Sequence, residues 1–282
     1  MSRLDPRCAD CFSRSYGRLK NRFTLTENQI QEFSAFFSEI MKREPCPGSP
    51  EVQRELYHYL CRLQGIQDPF TLEKMQSNMV AMELYERWKP RVLNSADPFS
   101  MALRLAVAGN IMDYGALSEF DTEKTITEVM QNDFFRDESD ALRKEIASAE
   151  KILYLGDNAG EIVFDKLLIE MMMHPNVTFA VRGGPVINDV TLEDAKETEM
   201  HVVADIISTG YDAPSVILSK SGKGFLHHFE TADLIISKGQ GNLEGLIDKK
   251  DPRIFFLLMV KCDVIAERVH APVGSALVYR AQ

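Results

Sequence analysis

The chain has 282 residues, 45% of them hydrophobic, and its 42 Asp and Glu against 32 Lys and Arg give a formal charge of -10. That acidic balance argues against a sequence-independent grip on nucleic-acid phosphates, and no apolar run approaches the roughly 18 residues of a spanning helix, the longest being Ile254 to Val260. With no signal-type apolar core at the amino terminus and five cysteines, an odd number that suits reduced thiols better than a disulfide framework, a cytoplasmic protein with neither a nucleic-acid nor a membrane partner is expected.

From Pro6 to about Ala149 the apolar residues recur at three- and four-residue spacing, as in Ile30, Phe33, Phe36, Phe37, Ile40 and Met41, so this part reads as six or seven helices. Cys8 and Cys11 form its C-x-x-C pair, better explained as two thiols on one helical turn than as half of a zinc site. Pro45, Pro47, Gly48 and Pro50 break the first pair of long helices, and Asp97 and Pro98 punctuate before the run from Phe99 to Met112. Met75, Met79 and Met82 make a stripe whose spacing predicts core packing. Asn110 and Asp113 close the Phe99 helix on one face, an ending common enough to need no function.

After Glu150 short aliphatic and β-branched runs alternate with helical stretches, which predicts an α/β region. Strands are expected at Lys151 to Leu155, Val177 to Val181, Val202 to Ile207, Leu234 to Ser237, Ile254 to Met259 and Ala276 to Tyr279, most of them parallel and buried. The expected fold is therefore α/β: a multi-helical part over 1–149 packed on a three-layer α/β/α domain over 150–282 with a mostly parallel sheet.

In such a sheet ligands bind beyond the carboxyl ends of the strands, and three loops there are unusually polar. The first carries Asp157 and Asn158 side by side, hard oxygen donors suited to magnesium, manganese or a similar ion, with Glu161 a further candidate for substrate binding. Capping of the next helix is the plain alternative. The second runs from Arg182, a phosphate-binding type of side chain, to Asn188 and Asp189, just before a capping box of Thr191 and Asp194. The third, Lys238, Gly239, Gln240, Gly241 and Asn242, has the make-up of an anion cradle opening a helix. It matches neither the P-loop nor the dinucleotide fingerprint, which lowers both of those readings.

The ordered set G-D-N-A-G-E, R-G-G-P-V-I-N-D-V-T and S-K-G-Q-G-N-L-E, with A-G-N-I-M-D-Y-G upstream, C-A-D-C near the start and V-K-C-D-V-I-A-E near the end, resembles the domain of unknown function 89 family, the damage-control phosphatases. The size and the C-x-x-C are similar to its stand-alone microbial branch. The resemblance implies a metal-dependent hydrolase of small phosphomonoesters, such as sugar phosphates or damaged and surplus phosphometabolites, supported by manganese, cobalt, nickel or magnesium. It implies Asp157, Asn158 and Asp189 as metal ligands, Lys238 as a phosphate contact, and Asn110 and Asp113 as further pocket residues. Some relatives are described as carboxyl methyltransferases using S-adenosylmethionine, so methyl transfer is the second reading and a noncatalytic phosphometabolite-binding protein the third. Either a water or Asp157 itself can be the nucleophile in the first.

Overall fold

A computed structural model describes residues 5–22, 25–112, 126, 127, 130 and 132–280. Among the described residues, five helices with defined bounds come first: α1 (Pro6–Arg22), α2 (Glu27–Met41), α3 (Ser49–Gln64), α4 (Thr71–Leu93) and α5 (Pro98–Ala108), the last tightening into a 3-10 turn, Gly109–Met112. Their ends follow local chemistry. Thr26 and Gln29 form a capping box that starts α2, Gly65 ends α3 in the left-handed conformation, and the Asp97 side chain accepts the Ser100 N–H ahead of Pro98 in α5.

The rest alternates: β1 (Arg136–Asp137), α6 (Ser139–Ser148), β2 (Ile152–Leu155), α7 (Glu161–Met172), β3 (Val177–Val181), α8 (Leu192–Glu197), β4 (Asp205–Ser208), α9 (Lys223–Thr231), β5 (Leu234–Lys238), α10 (Gly239–Leu246), β6 (Ile254–Met259), α11 (Asp263–Val269) and β7 (Ala276–Arg280). The sheet order is β1-β7-β6-β5-β2-β3-β4, parallel throughout except between β6 and β7. Alternation along β2 sends Ile152 and Tyr154 to one face and Leu153 and Leu155 to the other. The first face packs against α4, α5, α6 and α7; the second carries Phe225 and Phe229 of α9, Leu243 of α10 and Ile265 of α11. The fold is thus a three-layer α/β arrangement, and each large apolar side chain sealed in these layers contributes about 1.5–3 kcal/mol.

Three local expectations are corrected. The stretch before Ala149 is not helical throughout, because Arg136 and Asp137 pair with Leu277 and Val278 of β7. The strand expected from Val202 starts at Asp205, since Met200–Val202 coil into a 3-10 turn. Met75 and Met79 are not core: both are about half exposed, and of the three only Met82 packs against the main core. Among the described residues no helix is long and apolar enough to cross a membrane.

Candidate active site

Strand β2 has β3 on one side and β5 on the other, so the chain order reverses at its carboxyl end and opens a crevice there. Three loops meet in it. The Asp157 carbonyl accepts the Val190 N–H at 2.8 Å and the Asn188 carbonyl accepts the Ala159 N–H at 2.9 Å. These bonds set Asn158 opposite Asp189 as an antiparallel bridge, so Asp157, Asn158 and Asp189 stand together although two loops supply them.

Arg182, just past β3 and 1% exposed, braces the pair: Nε donates to Asp189 Oδ2 at 2.6 Å and Nη2 to Asp157 Oδ1 at 3.3 Å. Its Nη1 donates to Asn242 Oδ1 at 2.8 Å, while Asn242 Nδ2 donates to the Gly156 and Lys238 carbonyls, linking the third loop to the first. From the turn after α5, Asn110 Nδ2 lies 3.2 Å from Asp157 Oδ2 and 2.9 Å from Glu161 Oε2. Asn158 Nδ2 reaches the same two oxygens at 3.0 and 3.2 Å. Two carboxamides therefore sit between two carboxylates.

Lys238 lies behind this centre with no exposure, and its ammonium donates to the Ala106 carbonyl at 2.8 Å, to Glu161 Oε1 at 2.6 Å and to Asp165 Oδ1. Tyr154 donates to the same Asp165 oxygen at 2.7 Å. All three ammonium donors are engaged, so Lys238 is placed as an internal brace of Glu161 and not as a charge on a surface turn. Burial would discharge the amine, but Asp165 and Glu161 beside it outweigh that and raise its pKa. Burial also pushes the Asp165 carboxyl up to about 7 against the pull of Lys238. It holds the Asp157 carboxyl well above its usual range too, with Glu161 and Asp189 adding repulsion.

The other expected residues are engaged within the protein where they are described. Arg182 spends its donors on Asp189, Asp157 and Asn242. The Gln240 amide turns away, donating toward Glu244 and Cys262 and accepting the Lys261 N–H. Gly239 brings main chain against Asp157 and Gly241 against the Pro214 carbonyl, and Asp113 lies outside the described residues. Asp165 was missed, yet its spacing of four from Glu161 puts both carboxylates on one face of a mainly apolar helix, a readable signal.

Gly239 has φ +76°, and a Cβ there would stand 1.8 Å from Asp157 Oδ2. Gly239→Ala is therefore expected to displace that carboxylate, costing about 1–3 kcal/mol in strain. Chemical denaturation of both proteins measures it.

Fold and centre together define an α/β protein with a buried carboxylate–carboxamide cluster at its topological switch point. Residues 4–277 match the model of the damage-control phosphatase ARMT1-like domain. Over 283 residues the chain is 36% identical to the damage-control phosphatase of Pyrococcus horikoshii, covering 97% of this chain and 96% of that one. It is 31% identical to a damage-control phosphatase of Archaeoglobus fulgidus over 288 residues, covering 97% of both. The crystal structure of a domain of unknown function 89 family protein from P. horikoshii superposes with a TM-score of 0.89 at 30% identity, covering all of both chains. The chain belongs to the damage-control phosphatase ARMT1-like family.

Proposed function

We propose that the protein is a metal-dependent phosphatase of small phosphomonoesters, acting on sugar phosphates or on damaged or surplus phosphometabolites. The observation that carries this reading is the charge of the centre. Four buried carboxyl groups, Asp157, Glu161, Asp165 and Asp189, face two buried cations, Lys238 and Arg182; when all four ionise the excess is negative, and a divalent ion would offset it in place of protons. Among the described residues no three His, Cys, Asp or Glu side chains form a ready metal cluster, so the donor set is a mixed one. Asp157, Asn158 and Asp189 would hold the ion, and Asn110 Oδ1, buried without a hydrogen-bond partner, offers a further hard donor. Turning an amide by 180° presents its oxygen in place of its nitrogen at little steric cost.

When bound, manganese, cobalt, nickel or magnesium supplies Lewis-acid polarisation of the phosphoryl group and activation of water. The chain's own residues do the rest. Arg182 keeps Asp157 and Asp189 at a fixed separation. Lys238 orients Glu161 from behind. The first N–H groups of α10 have no side-chain cap and are left to face phosphate oxygens. Methyl transfer has no use for hard-oxygen donors beside such a turn, which favours phosphoryl chemistry.

A metal-by-substrate screen is expected to show phosphate release that needs one of the four ions and stops with a chelator. Consumption of S-adenosylmethionine with no phosphate released under any ion would reverse the reading.

A pH dependence follows from Asp157, whose carboxyl is raised above its ordinary 3.8 in the metal-free protein. The folded state then holds its proton to higher pH than the unfolded chain, so this group costs stability as pH rises from 3.8 through the raised value. Metal binding takes the ionised form, so affinity is expected to rise with pH over that interval, with protons released. Calorimetric titration in two buffers of different ionisation enthalpy counts those protons.

A further inference from the structure

We infer that Asn78 of α4 is a positioning residue that sets the spacing of the two aspartate-bearing loops, an inference that rests on the metal-centre reading above. Asparagine is a poor residue for a helix interior, and this one has no exposure, so its tertiary bonds must offset its cost. Its Oδ1 accepts the Gly160 N–H at 2.7 Å, and its Nδ2 donates to Asp194 Oδ1 at 3.0 Å and Glu197 Oε2 at 2.8 Å. Two acceptor-only carboxylates on one end and an N–H on the other fix the orientation of the amide.

The partners tie Asn78 to both donor loops: Gly160 lies in the first, and Asp194 and Glu197 lie on α8, the helix that follows the second. Gly160 ends the G-D-N-A-G segment that carries Asp157 and Asn158; it has φ +76° and starts α7 with no side-chain cap of its own. Asn78 caps it from another helix. The approach is tight, because a Cβ at Gly160 would stand 3.1 Å from the Ser77 carbonyl oxygen. Asp194 is the capping-box partner of Thr191, accepting its N–H at 2.8 Å and its hydroxyl at 2.7 Å, two residues beyond Asp189. Lys74, one turn earlier on α4, steadies that carboxylate at 3.5 Å while pairing with Asp68 at 3.0 Å. A continuous path of hydrogen bonds and short main-chain steps therefore runs from Asn158 through Gly160, Asn78, Asp194 and Thr191 to Asp189. Asn78 acts through loop backbones.

The test uses the full chain with Asn78→Ala, Asn78→Asp and, as a control for core damage in the same helix, Leu84→Ala, which removes a side chain with no exposure. Asn78→Asp keeps the volume and the acceptor for Gly160 but sets a like charge against Asp194 and Glu197, so it stays informative should Asn78→Ala not fold. Titration calorimetry with Mn2+, Co2+, Ni2+ and Mg2+ is expected to show affinity lowered about tenfold or more in both Asn78 variants, the usual effect of losing an outer support of a metal site. Amide exchange in the metal-free variants is expected to quicken at 157–161 and 189–191 and not in β5. Leu84→Ala should melt earlier with wild-type metal affinity. If the wild type binds an ion and a folded Asn78 variant matches its affinity, or if Leu84→Ala weakens binding equally, the inference fails while the metal reading stands. If the wild type binds none of the four ions, the metal reading fails and the inference with it.

Discussion

Lys238→Met is expected to destabilise the protein by about 3–5 kcal/mol, the cost of leaving buried charge without its partner. The ammonium has no exposure and all three of its donors are used, on Ala106, Glu161 and Asp165. Methionine fills the space but donates nothing, so the two carboxylates must be protonated or the layer between β5 and α7 must open. The sign of the pH dependence separates this from a simple packing loss. Burial already pushes the Asp165 carboxyl up to about 7 with its partner present, and without Lys238 the folded state holds still more protons than the unfolded chain. The stability deficit of Lys238→Met should therefore shrink at acid pH and grow through neutrality. Urea denaturation of both proteins at pH 5 and pH 8 checks it, and a deficit independent of pH would assign the loss to packing instead.

Asp157→Asn is expected to lower phosphate release on the order of a thousandfold, as losing a preorganised electrostatic group at the reacting centre does, without lowering the melting temperature of the metal-free protein. Asp157 is 8% exposed and its charge is disfavoured by burial and by Glu161 and Asp189. Removing that charge relieves the metal-free fold and, on the proposed function, would take the central donor from the ion. Turnover, metal binding and thermal melting measured on one preparation make the test. A folded variant with full turnover would remove Asp157 from both the ligand and the nucleophile roles.

Strands β2, β3, β5 and β6 were legible because each is short, mainly apolar and almost wholly buried on both faces, and such runs have few alternatives in an α/β chain. The Thr191–Asp194 capping box was readable for the same kind of reason: its partners are three residues apart, so local spacing settles the contact. Met75 and Met79 show where periodicity runs out. A helical stripe tells which residues share a face, and the neighbouring elements decide whether that face is covered.

By itself the sequence determined the α/β class, the three polar loops and the residue types they bring, since these depend on interactions within a few residues of chain. Only the tertiary structure decided what each polar group touches. The Lys238 ammonium turns inward onto Glu161 and Asp165, Arg182 closes on Asp157 and Asp189, and Asn78 spans two loops from a helix far away in sequence. A buried charge or amide takes whichever partners the assembled layers bring within about 3 Å, and those partners lie as much as 132 residues apart in the chain.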